Sequence, residues 1–117
     1  MKPTDLMIKD WVMVKVLSQI PNTYVLHTWA ANDYSRNLQV KPIPLTTEIL
    51  EKNGWVYTEY CHEYQYGKNI IQCRLPYMLG RINGIDIENF KCEYVHQYQH
   101  LLRLCGLNEL ANNFKVV

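Results

Sequence analysis

The sequence predicts an α+β fold: small twisted or barrel-like antiparallel β sheets with two helices, in the order βββ-α-ββββ-α. Three observations carry this. Apolar and polar residues alternate in several short runs, the period of a half-buried strand. Turn-forming Pro, Asn and Gly residues separate those runs. Two further segments carry helix start and stop signals instead. The length of 117 residues fits a single domain, 1–117, which buries roughly two-thirds of its unfolded surface without disulfides or metals.

The first half predicts a meander. Trp11 to Leu17 is a strand, with Trp11, Met13 and Leu17 on one face and Lys15 as the exception. A turn over Ile20-Pro21-Asn22-Thr23 leads to a second strand, Tyr24 to Trp29, and Asn32-Asp33-Tyr34-Ser35 is the next turn. Leu38 to Ile43 is a third strand that ends at Pro42 or lies on an edge, because proline has no N–H for the ladder. After Pro42-Ile43-Pro44-Leu45, Thr46 is placed to cap a helix, Glu48 suits its first turn, and Asn53-Gly54 stops it.

The second half predicts four more strands. Val56 to Tyr66 alternates with an aromatic face on the even positions, and Gly67-Lys68-Asn69 turns the chain. Ile70 to Leu75 returns, Pro76 interrupts, and Tyr77 to Ile82 continues to the Asn83-Gly84 turn and a short strand, Ile85 to Ile87. The last helix spans 93–105, with Val95, Tyr98, Leu101, Leu102 and Cys105 forming its apolar stripe. Gly106 stops it, and Leu107, Leu110 and Phe114 suffice for a short docked turn. Trp11, Trp29, Leu50, Trp55, Tyr60, Leu101 and Leu102 are the expected core.

Composition narrows the function. With 12 Lys+Arg against 11 Asp+Glu, charge is nearly balanced, which removes the simplest argument for phosphate binding. No apolar run approaches the ~20 residues of a membrane span, and nothing after Met1-Lys2-Pro3-Thr4-Asp5 suggests a signal peptide. Cys61, Cys73, Cys92 and Cys105 form no Cys-x-x-Cys pair, so reduced, buried thiols in a cytoplasmic compartment are expected.

His96 and His100 are four apart on the last helix, the spacing of a zinc-binding pair. Gln97 stands where a metalloprotease needs its glutamate, and nothing fixes a third ligand among His62, Cys92 and Glu93. The alternative is a solvated helix face shared with Gln97, Gln99 and Arg103, and no metal or cofactor is expected. Cys61 and His62 are adjacent on a strand and point to opposite faces, so they cannot form a dyad with each other. There is no Gly-rich phosphate loop and no Ser-His-Asp motif; the sequence predicts no enzyme.

Nine tyrosines are the unusual feature. Tyr60, Tyr64 and Tyr66 share a predicted strand face, with Lys68, Arg74 and Arg81 on the β segment that follows. These six are the candidate binding residues. Tyrosine suits a protein interface, and aromatics interleaved with cations suit single-stranded nucleic acid. The competing expectation is that the rings form core beneath the last helix. A non-catalytic protein-binding module, its partner either a second copy of itself or a host factor, ranks first; a single-stranded nucleic-acid-binding protein is the alternative.

Pro42-Ile43-Pro44-Leu45-Thr46-Thr47-Glu48-Ile49-Leu50 through Gly54-Trp55, Tyr94-Val95-His96-Gln97-Tyr98-Gln99, and the opening Asp5-Leu6-Met7-Ile8-Lys9-Asp10-Trp11-Val12 together resemble a group of small uncharacterised Bacteroides-type proteins, many of them in prophages or mobile elements. This chain departs from that pattern at Trp55, Tyr98 and the Lys9-Asp10 pair. The group carries no assigned activity, so the resemblance implies origin and a bacterial cytoplasm, and no functional residues.

Overall fold

A computed structural model describes residues 1–16, 20, 23–59, 62–74 and 76–117, with backbone alone at 73 and 74. It has the α+β class expected. Among the described residues there are eight strands: β1 (Trp11–Lys15), β2 (Tyr24–Thr28), β3 (Val40–Lys41), β4 (Val56–Thr58), β5 (Glu63–Tyr66), β6 (Asn69–Arg74), β7 (Tyr77–Ile82) and β8 (Ile85–Lys91). Three helices join them: α1 (Thr47–Lys52), α2 (Val95–Leu104) and α3 (Asn108–Asn112). Short 3-10 turns at Pro3–Asp5 and Ala31–Ser35 complete the described residues. All pairing is antiparallel, in a three-stranded sheet ordered β2-β1-β3 and a five-stranded meander β4-β5-β6-β7-β8.

Local chemistry explains most boundaries. The Thr46 side chain accepts the Ile49 N–H at the start of α1, which supplies a partner for one orphan donor of the first turn. Gly54 ends the helix at φ +87°, a conformation that disfavours a side chain. Ile82 pairs with Ile85 across Asn83-Gly84, both at positive φ, which is the two-residue hairpin that Asn-Gly favours. β3 shrinks to two residues because Pro42 cannot extend the ladder.

Three expectations need correction. The predicted strand from Val56 to Tyr66 is two strands: Val56 pairs with Gln65, so the chain folds back between β4 and β5. Tyr60 and Cys61 lie outside the described residues, and His62 follows at φ +52°. The strand after Asn83-Gly84 runs on to Lys91, tolerating a register shift opposite Met78 and Gly80 and a positive φ at Asn89. The predicted docked turn near the C-terminus is the third helix, α3, with Ala111 and Phe114 buried.

Two cores are formed. The larger gathers Leu50 and Trp55, then Tyr64, Ile71, Met78 and Ile82 from the five-stranded sheet, and Val95, Tyr98, Leu101, Leu102 and Cys105 from α2 and its end. The stripe read from the helical spacing is therefore the buried one. The smaller core holds Leu6, Val12, Val14 and Trp29. Its strand β1 reverses the expected faces: even positions Val12 and Val14 are buried, while Trp11 and Met13 are half-buried against the larger core. β1 is thus covered on both sides, which a strict alternation of inside and outside does not anticipate. Leu17 lies outside the described residues.

Candidate functional site

Among the described residues the tyrosine–basic surface does not assemble. The register aligns Tyr64 with Ile71 and Ile71 with Gly80, a row that faces the larger core, and Tyr64 is only 7% exposed. Tyr66 points the same way and packs its ring 5.5 Å from that of Trp55, keeping 38% exposure. Arg81 sits one residue from Gly80, so it projects from the opposite face of the sheet. There its guanidinium pairs with Asp86 at 2.9 Å. Lys68 is exposed at the hairpin turn. Tyr60 and the Arg74 side chain lie outside what is described. Aromatic rings inward and a cation outward make two surfaces, not one stacking platform.

The structure offers an open strand edge instead. Among the described residues β2 has one neighbouring strand, β1. The Val16 N–H reaches the Thr23 carbonyl and the Trp29 N–H reaches the Asp10 carbonyl. The antiparallel register then directs the backbone groups of Val25 and His27 toward β1, and those of Tyr24, Leu26 and Thr28 away from it. Among the described residues no backbone partner meets that outer row. Val25 and Leu26 are 46% and 40% exposed, and β2 carries no Lys, Arg, Asp or Glu. Its C-terminal end is well anchored. His27 meets the buried Asp33 carboxylate at 2.7 Å, Arg36 meets it at 3.1 Å, and the Ala30 N–H donates to it at 2.8 Å. Burial alone would raise the Asp33 pKa; these hydrogen bonds, from His27 first, outweigh burial and hold it below its ordinary value.

The polar face of α2, expected to be solvated, is packed against the N-terminal segment. Gln99 is fully buried. Its Oε1 accepts the Trp11 N–H at 2.9 Å, and its Nε2 donates to the Lys9 and Ala111 carbonyls, each at 3.0 Å. Asp10, also fully buried, accepts from the Met7 N–H at 2.8 Å, from Arg103 Nη1 at 2.5 Å and from His100 Nε2 at 2.5 Å. Since a carboxylate only accepts, the His100 Nε2 that meets it carries a hydrogen; in the neutral form of an imidazole held this way, the lone pair is on Nδ1. None of Asp10, Gln99 and Arg103 was singled out from sequence as part of a site.

His96 lies one turn before His100, its ring centroid 5.7 Å away at 78°, and it stacks 6.0 Å from Tyr94. It is 6% exposed, and its Nδ1 has no hydrogen-bond partner. Burial chiefly, and His100 next, lower its pKa against the smaller opposing pull of Asp10 and Asp5, so the ring is neutral at pH 7. Both histidines line an open cleft of about 430 Å³ with Met1, Asp5, Pro42, Tyr94 and Gln97. Gln97 Oε1 accepts the N–H groups of Glu93 and Tyr94, the two residues just before α2. His62 is not near this cleft; it meets the Tyr57 hydroxyl at 3.0 Å. Cys92 and Cys105 are buried, and burial raises the Cys105 thiol.

Neither the family models, nor the characterised proteins, nor the solved structures contain a match to this chain.

Proposed function

We propose that the chain is a non-catalytic protein-binding module that takes an extended segment of a partner along the open edge of β2. The observation that carries this reading is the outward row of Tyr24, Leu26 and Thr28 backbone groups on a strand with exposed Val25 and Leu26 and no charged side chain. Strand edges are ordinarily protected by Lys, Pro, bulges or short length. β8, at one edge of the other sheet, has Asp86, Glu88 and Lys91, and β3 has two residues only. β2 lacks those protections, and strand addition uses such an edge, with backbone bonds for affinity and alternate side chains for specificity. The resemblance to Bacteroides-type mobile-element proteins supports a bacterial cytoplasm as the place of action. No described helix is long and apolar enough to cross a membrane.

Leu26→Pro tests the edge directly. It removes one outward N–H and leaves the bonds to β1 in place, a position where an edge strand tolerates proline. A partner captured from the host with the native chain, then purified, is expected to bind Leu26→Pro at least about tenfold more weakly, the equivalent of one or two lost interface hydrogen bonds. Equal affinity for both chains, by calorimetry, overturns the reading. Capture that disappears with nuclease and falls steeply with salt supports nucleic-acid binding in its place.

A further inference from the structure

We propose that His96 and His100 form the protein half of a binding site for a divalent transition-metal ion of the zinc, nickel or copper kind. Solvent, or a donor atom from an incoming ligand, completes the coordination.

The geometry is favourable in three independent respects. Two imidazoles that share a tetrahedral ion through bonds of about 2.0–2.1 Å bring their ring centres to roughly 5 Å; the observed separation is 5.7 Å. A modest rotation of either ring closes the difference. His100 is buttressed in the manner typical of ligating histidines: Nε2 is held on a carboxylate, which directs Nδ1 of the imidazole to an ion. That carboxylate, Asp10, is itself immobilised by Arg103 and the Met7 N–H, so the ring cannot turn freely. His96 is more than nine-tenths buried yet has no hydrogen bond from its Nδ1. A buried ring nitrogen without a hydrogen-bonding partner calls for an explanation, and a role for the ring as ligand beside the cleft supplies one.

The surroundings choose the ligand class. Asp5 lines the cleft, the Glu93 and Tyr94 N–H groups are taken by Gln97 and that of Val95 by the Ile43 carbonyl, which disfavours an anion. Imidazole donors suit zinc, copper and nickel, whereas magnesium and calcium require oxygen cages. Among the described residues no three His, Cys, Asp or Glu side chains are grouped to hold an ion. The site is therefore open, with exchangeable positions, and not a closed structural one.

Nickel titration of tag-free protein under reducing conditions tests the site, because nickel is less drawn to thiolates than zinc. Calorimetry is expected to give one ion per chain. His100→Ala and His96→Ala are each expected to weaken binding by at least about tenfold, and Asp10→Asn by a comparable factor through loss of orientation. Thermal melts of each variant establish that it is folded. Because His96 is buried and its variant can lose stability, a second readout uses the native chain. In NMR spectra, substoichiometric Ni2+ is expected to broaden the imidazole signals of His96 and His100 before those of His27 and His62. Absence of saturable binding, or broadening that begins at His27 or His62, overturns the proposal. So does binding retained in the His96→Ala/His100→Ala double variant, which assigns the ion to the cysteines.

Discussion

Gln99 and His96 are neighbours in space with opposite degrees of satisfaction. Gln99 fills both donors and its acceptor within the fold. His96 is nearly as buried but leaves Nδ1 without a partner. Burial of the ring makes the neutral form the folded one, and pH dependence follows. With its folded pKa below the unfolded value of 6.5, His96 binds more protons in the unfolded chain at mildly acidic pH. Stability therefore rises with pH through that window and is lost as pH falls below 6.5. Urea midpoints measured at about pH 7.5 and about pH 5.5 are expected to show the native chain weakened at the lower pH. A His96→Gln chain is expected to lose much of that slope; an unchanged slope places the titrating group elsewhere. Asp33 acts at a different point. Its depressed carboxyl stabilises the fold above 3.8, the unfolded value, and that contribution fades below it. The position of Gln99 was legible in principle, since Val95, Gln99 and Leu102 follow the 4 and 7 spacing of one helix row. A polar residue in that row marks either a break in the stripe or a buried network, and two of the three partners that decide between them, Trp11 and Lys9, are 88 and 90 positions away in sequence.

At the scale of the elements, the expectations that the structure meets rest on local chemistry. Thr46 as cap, Gly54 and Gly106 after their helices, Asn83-Gly84 as hairpin and the α2 stripe all act within a few residues. The split of β4 from β5 was not visible, because Thr58 to His62 contains no Gly, Pro or Asn to announce a turn. The inversion of β1 has another cause: both its faces are covered, so alternation alone cannot rank them. The same local–distant distinction explains why the tyrosine surface failed. Period two says that Tyr64 and Arg81 each lie on a face, but only the register between β5, β6 and β7 puts those faces on opposite sides. Gly80 is where that register is tightest. It has φ +152°, and a methyl group there would overlap the Ile70 carbonyl oxygen and stand 2.8 Å from Ile71 Cα, both of the neighbouring backbone. Neither neighbour is the flexible end of a side chain. Gly80→Ala is expected to destabilise by about 2–3 kcal/mol or more, seen as a lowered urea midpoint with an unchanged slope. Gly84→Ala, with nothing within 4 Å of the added carbon, should lose less, roughly 1 kcal/mol from its positive φ alone.

For the molecule as a whole, the question is whether two sheets and two cores behave as one unit. β1 answers it structurally. Val12 and Val14 belong to the smaller core with Leu6 and Trp29, while Trp11 and Met13 pack on the larger one. Polar ties reinforce the join: the Trp11 N–H on Gln99, the Trp11 indole N–H on the Phe114 carbonyl, and Asp10 on His100 and Arg103. A separate pairing holds the middle of the chain, where Leu45 N–H meets the Glu93 carbonyl and Val95 N–H meets that of Ile43. Peeling one sheet from the other would strand the buried Asp10 and Gln99 without partners, a penalty of several kcal/mol by the usual cost of about 1–3 per unsatisfied group. Partial unfolding at that seam is therefore unfavourable, and the chain is expected to unfold in a single cooperative step. The three tryptophans report on it conveniently. Trp29 lies in the smaller core, Trp55 in the larger, and Trp11 at the seam. Single-tryptophan chains retaining Trp29 or Trp55, with phenylalanine at the other two positions, each give a fluorescence transition in urea to set beside far-UV circular dichroism of the same sample. Coincidence of the two probes within each chain is the expected result. A Trp29 signal that is lost at lower urea than the circular dichroism of its own chain would show that the three-stranded sheet opens first, and that the contacts of β1 with the larger core are too weak to couple the halves.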